Sequence, residues 1–267
     1  REPTVGKVQL PVVIVPAKAQ PPEPDPVVCM AGGPGANAIA QAQDLVNMGL
    51  NEKRDLIIMN QRGVAYTVPN LACPELDMTF AAAIALPYDS PVAETRHVAA
   101  TKACRDRLVA HGVDLSAFNT RENAADFADL RKALKLKQWN VYGLSYGTEL
   151  ALSLMRDHPE GIRSMIIDAV LPPSAVSLGW TWTNANEAIS NIFRACADQP
   201  VCAAKYGDLR TRFAAEVQKL EADPLSLTVQ VPGTETNTKV VLDGGAIVNW
   251  LGSLPDPVVP ITSIPAA

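Results

Sequence analysis

Histidine is scarce in this sequence: its 267 residues include three, His97, His111 and His158. Acid–base chemistry that needs an imidazole has only those three to draw on. Basic residues are in no excess, with 23 Lys and Arg against 28 Asp and Glu for a net charge of −5. They form no stripe, which argues against a nucleic-acid partner. No apolar run reaches the roughly 18 residues a membrane helix needs, so no membrane span is expected. The five cysteines include no C-x-x-C and no zinc-ligand spacing. G-x-G-x-x-G is missing, and no Gly-Lys-Ser/Thr follows the glycine-rich stretch. Neither a metal nor an organic cofactor is implied. The sequence does not begin with Met and shows no signal peptide; it opens at Arg1, as a processed or trimmed chain would.

The residues that are present describe an ordinary globular protein, 48% hydrophobic and 19% charged. The length suits one large α/β domain, or a core with a cap. Proline is frequent, 22 in all, and the run Pro21-Pro22-Glu23-Pro24-Asp25-Pro26 reads as a surface connection between two strands. Cys73 lies in a proline-flanked loop, Cys104 in a helical stretch, and Cys196 and Cys202 flank a short turn. Disulfides Cys73–Cys104 and Cys196–Cys202 are expected, with Cys29 a buried thiol. That pairing implies an oxidising compartment, secreted or periplasmic. The competing reading is five reduced thiols in the cytosol.

Strands are predicted over residues 8–15, 26–30, 55–59, 139–142 and 162–170. Helices are predicted over 36–48, 94–111, the stretch opened by Thr120 as its cap, and 148–157; residues 64–90 read as irregular. Strands alternating with helices argue for a mostly parallel sheet covered on both faces. After Leu171 the pattern changes to helices over 180–222, strands over 225–231 and 238–242, and a short helix over 243–252. The expected division is therefore a core of residues 1–171 and a mainly helical cap from 172–267. There is no internal repeat.

Gly143-Leu144-Ser145-Tyr146-Gly147 falls between a predicted strand and a predicted helix. A G-x-S-x-G in that setting is the strained turn that exposes a nucleophilic serine. Small residues must flank it, and the helix that follows aims its free N–H groups at the site. Ser145 is the candidate nucleophile and the N–H of Tyr146 an oxyanion donor. Gly32-Gly33-Pro34-Gly35, after an earlier strand, lets backbone N–H groups approach a ligand closely. The bland reading of both is a glycine-rich turn between strand and helix.

The order Gly-Gly-Pro-Gly, Asn-Gln-Arg-Gly, then Gly-Leu-Ser-Tyr-Gly-Thr resembles the proline iminopeptidase and tripeptidyl aminopeptidase family of α/β-hydrolases. Cys73-Pro74, the Cys104 helix and Trp139-Asn140-Val141-Tyr142-Gly143 are similar to its secreted tripeptidyl-aminopeptidase-like branch. The likeness covers residues 8 to 225. It implies an α/β-hydrolase core, a helical cap, a Ser–Asp–His triad and hydrolysis of peptides from the amino end, although esterases share the framework. By position it implies Ser145 as nucleophile, the N–H groups of Gly33 and Tyr146 as oxyanion hole, and support from Gly32, Pro34, Gly35, Gly143, Gly147 and Arg62. The family usually has Asp where this chain has Asn60, and Val64-Ala65-Tyr66-Thr67 departs from its usual Gly-x-Gly-x-Ser.

The serine needs a base. In this fold the chain order is Ser, acid, His, and only His158 follows Ser145. It ends the elbow helix, roughly 15–20 Å along it, and reads as a surface histidine. Asp168, at a strand end, reads as the organiser of a turn; Asp243 and Asp256 are weak acid candidates. The expectation is that Asp and His come from a C-terminal segment or second polypeptide beyond Ser263-Ile264-Pro265-Ala266-Ala267, and that the C-terminal part of the core is missing. Three readings compete: a serine peptidase acting on peptides, an esterase on the same scaffold, and a catalytically incomplete binding protein.

Overall fold

The computed structural model describes residues 6–174, 177–230 and 235–252. The chain divides into two compact units, Arg1–Ala72 with Arg105–Ala175, and Cys73–Cys104 with Val176–Ala267. In this division residues 73–104 group with the C-terminal residues.

The first unit is built on five strands, β1 (Val12–Val15), β2 (Val27–Met30), β3 (Leu56–Met59), β4 (Trp139–Leu144) and β5 (Ile162–Asp168), ordered β1-β3-β2-β4-β5. β1 runs antiparallel to β3; β3, β2, β4 and β5 are mutually parallel. Alternation decides which face each side chain takes. Val28, Met30, Ile57, Met59, Trp139 and Val141 pack on one side against Phe127, Leu150 and Leu154. The latter come from helices α4 (Thr120–Ala133) and α5 (Tyr146–Asp157). Cys29, Leu56, Ile58 and Tyr142 pack on the other side against Ala38 and Leu45, the first capping the single turn Ile39–Gln41 and the second in helix α1 (Ala42–Asn47). Continuous apolar strands covered on both faces are what a parallel sheet requires.

The strand starts are tied by a buried carboxylate. Asp25 accepts from Arg54 Nε (3.1 Å) and Asn140 Nδ2 (2.7 Å) and pairs with Arg163 (3.2 Å). One side chain thereby links the beginnings of β2, β4 and β5.

The second unit holds α2 (Pro74–Ala83), most of α3 (Pro91–Ala110), α6 (Ser177–Ala197), α7 (Pro200–Tyr206), α8 (Leu209–Ala222), the hairpin β6 (Leu225–Gln230) and β7 (Asn237–Leu242), and α9 (Gly244–Gly252). Helix α2 lies where an irregular stretch is predicted. It buries no residue, so it carries no apolar stripe for periodicity to find. Both disulfides belong to this unit: Cys73–Cys104 and Cys196–Cys202, with Cα separations of 5.5 and 5.1 Å. Cys29, in the first unit, is a free buried thiol whose pKa burial pushes up to about 12. Among the described residues no helix is long and apolar enough to cross a membrane.

Candidate active site

In the first unit the chain steps from central β2 out to β3 on one side, then crosses to β4 on the other. A parallel sheet opens a crevice at such a reversal, beyond the carboxyl ends of the strands. The segments leaving β2 and β4 there are Ala31–Gly35 and Ser145, so two motifs more than a hundred residues apart meet.

Ser145 follows β4 and caps α5 with φ 57° and ψ −125°. A side chain at positive φ is held there only by its surroundings. The Ser145 N–H donates to the carbonyl of Asp168 (2.9 Å) at the end of β5. The Ser145 carbonyl accepts from the Thr148 N–H (2.8 Å) and hydroxyl (2.7 Å). Thr148 is fully buried, and its hydroxyl oxygen also accepts from the Leu171 N–H (2.7 Å). It fixes the backbone of Ser145, a contact the sequence reading missed; its place three residues past the serine, in the first helical turn, is the available signal.

The flanking glycines are required by contact. A Cβ on Gly147 would fall on the Met30 carbonyl, and one on Gly143 would lie 2.6 Å from the Gly147 oxygen. A Cβ on Gly32 would lie 2.8 Å from Ser145 Cβ and 3.1 Å from its Oγ, so Gly32 faces the serine directly. Gly33, with φ 107°, is the next residue along that loop. The Tyr146 N–H, at the first position of α5, has no carbonyl four residues back within the helix to bond.

Arg62 is buried at the loop after β3. Nε and Nη2 form a fork on Asp126 (2.7 and 2.8 Å), and Nη1 donates to the Ala117 carbonyl (2.6 Å) and lies 3.5 Å from Glu122. Its backbone N–H donates to Asn123 Oδ1 (3.0 Å). With these bonds formed, the guanidinium holds the loop to α4. The neighbouring Gln61 donates to the Ala31 carbonyl (2.8 Å) at the glycine-rich loop. Asn60 uses both ends of its amide. Oδ1 accepts from the Ile39 N–H (3.1 Å), while Nδ2 donates to the Ala65 carbonyl (2.7 Å) and to Asn37 (3.0 Å). An ionised aspartate could not make the last two bonds, so the asparagine at position 60 is matched by partners of its own.

The helix after residue 118 is capped by Asn119, not Thr120: Asn119 Oδ1 accepts from the Glu122 N–H (2.9 Å). Asparagine is the better cap because its side-chain oxygen reaches back to the third amide. Thr120, one residue on, is left to meet the Tyr146 hydroxyl at 2.8 Å. These two residues, with Pro34, Gly35, Val64, Leu71 and Phe118 among others, line a cleft of about 610 Å³.

No histidine among the described residues is hydrogen-bonded to Ser145. His111 is exposed and its Nδ1 donates to the Arg107 carbonyl (2.7 Å). His97 lies in the second unit, edge-on to Phe80 at 4.9 Å. His158 ends α5, its N–H on the Leu154 carbonyl. Asp168 accepts from the Tyr142 hydroxyl (2.9 Å). Burial first, then that carboxylate, raises the Tyr142 pKa to about 12. Asp243 is spent on the Ala246 and Tyr88 N–H groups (2.7 and 2.6 Å); Asp256 lies outside the described residues.

Residues 25–195 match the model of the alpha/beta hydrolase fold. This chain is a member of the alpha/beta hydrolase family. The chain is 24% identical over 174 residues to a proline iminopeptidase of Neisseria gonorrhoeae, a match covering 64% of this chain and 40% of that one. It is 27% identical over 164 residues to a tripeptidyl aminopeptidase of Streptomyces coelicolor, covering 58% of this chain and 29% of that relative. The chain thus spans about two fifths or less of the length of these relatives. Among solved structures, a proline iminopeptidase of Mycobacterium smegmatis aligns with 85% of this chain at 17% identity, covering 62% of that structure's chain with a TM-score of 0.45.

Proposed function

We propose that Ser145 is the nucleophile of an acyl-transferring hydrolase that releases short amino-terminal units from peptides. The observation that carries this reading is the elbow: a serine at φ 57° between β4 and α5, facing Gly32 across the crevice. In this mechanism the Ser145 hydroxyl gives its proton to a base and Oγ attacks the scissile carbonyl. The Gly33 and Tyr146 N–H groups hold the oxyanion. The C–N bond then breaks, the amine leaves with the proton, and water hydrolyses the acyl-enzyme. Acid and base are assigned to polypeptide other than residues 1–267. The peptide substrate rests on the activities named for the two relatives. The paired cysteines favour an oxidising, secreted or periplasmic setting.

The test is intact-mass analysis before and after a fluorophosphonate probe, on this chain and on a preparation containing any longer or second polypeptide. One adduct, lost in Ser145→Ala, supports the reading. No adduct on either folded preparation overturns it in favour of a binding protein. Comparing an aminoacyl anilide with a short-chain nitrophenyl ester then separates peptidase from esterase.

A further inference from the structure

We infer that the cleft beside Tyr146 is a subsite for an uncharged, hydrogen-bond-accepting substrate group, selected by the Thr120–Tyr146 hydroxyl pair. The inference builds on the reading of Ser145, because the cleft is lined by Tyr146, next to that serine, and by Pro34 and Gly35, next to Gly33.

The first support is electrostatic. The charged side chain lining the cleft is Arg62, and its guanidinium is already committed to Asp126, Glu122 and the Ala117 carbonyl. Among the described residues of the lining, an entering anion would find no free cation, and an entering cation no free carboxylate. Either would lose hydration without a counter-charge. The second is a count of hydrogen bonds. Two hydroxyls bring two protons, and the 2.8 Å contact between Thr120 Oγ1 and Tyr146 Oη uses one. Neither hydroxyl has another partner among the described residues, so one O–H remains to donate. Tyr146 is buried, and burial holds its phenol protonated by raising its pKa. The third is shape and surface. Val64, Leu71 and Phe118 supply an apolar wall, while Asn119 and Asn123 have amides engaged within the fold. An apolar body bearing one carbonyl fits this lining, such as a neutral residue of a peptide.

Binding of N-acetyl-leucinamide, N-acetyl-lysinamide and N-acetyl-glutamic acid amide to the full chain, followed by NMR, tests this without requiring turnover. The neutral ligand should bind roughly tenfold more tightly than either charged one and shift the Thr120 and Tyr146 signals. Tyr146→Phe and Thr120→Val, which keep shape, should each weaken it roughly threefold to tenfold. Asn70→Asp, on the exposed rim, keeps the oxygen that accepts from the Ala72 N–H (2.7 Å) and should shift preference toward the lysine ligand. Equal binding of all three ligands, no binding, or unaffected variants would overturn the subsite. Fluorophosphonate labelling of both preparations separates the two readings: labelling without ligand discrimination sinks the subsite alone, and discrimination with neither preparation labelled sinks the nucleophile alone.

Discussion

Ser145 is held at positive φ by bonds to its own backbone, from Thr148 on one side and to the Asp168 carbonyl on the other. A residue with a Cβ in such a sparsely populated region costs on the order of 1–3 kcal/mol; glycine does not carry that cost. Ser145→Gly should therefore be more stable than Ser145→Ala by about 1 kcal/mol, the reverse of the usual order near a helix. Hydrogen exchange of the β4 and α5 amides in urea measures the difference. Equal stabilities, or a more stable alanine variant, would mean the turn stores no strain. The motif spacing already singled out this residue, because a strand–turn–helix is local in sequence. The side chain of Tyr146 was not legible in the same way. Its phenol is defined by Thr120, 26 residues earlier, and no rule of spacing joins them.

Among the elements, β2, β4 and β5 share the Asp25 anchor at their starts. Burial alone would raise its carboxyl pKa, but hydrogen bonds from Asn140 and Arg54 and the charges of Arg54 and Arg163 outweigh burial and hold it below its ordinary value of 3.8. A folded pKa below the unfolded one contributes stability that is present above about pH 4 and lost as pH falls through the folded value. The stability difference between wild type and Asp25→Asn should be largest near neutrality and shrink on acidification below about pH 4. Thermal melts from about pH 3 to 6 would show it; a difference independent of pH would deny the carboxylate that role. Strands and the longer helices were legible because alternation and apolar spacing follow from which face is buried. Helix α2, with no buried face, gave no such pattern, and the cap of α4 was misplaced by one residue because Asn119 and Thr120 are both good caps.

For the whole molecule, the two units differ in covalent chemistry. Both disulfides lie in the second unit; the first has only the free Cys29. The Cys73–Cys104 bridge closes a separation of 31 residues, for which chain entropy predicts about 3–4 kcal/mol. Reduction should thus lower amide protection in α2, α3, α6 and α7 while leaving β2 to β5 unchanged. Hydrogen exchange with and without dithiothreitol reads both units together. Equal loss in the strands would show that the first unit depends on the bridges, and no loss anywhere would make them dispensable.

Sequence alone determined what short range controls. Examples are a strand–serine–helix turn flanked by the small residues its crowding demands, strands apolar on both faces, and a glycine loop able to come near that turn. Tertiary structure decided what long range controls. It brought Gly32 against Ser145, set Arg62 on Asp126 across 64 residues of chain, joined the Thr120 and Tyr146 hydroxyls, and grouped residues 73–104 with the C-terminal helices. The physical reason is that local propensity and burial pattern specify each element. Which side chains meet depends on the order in which the strands lie in the sheet.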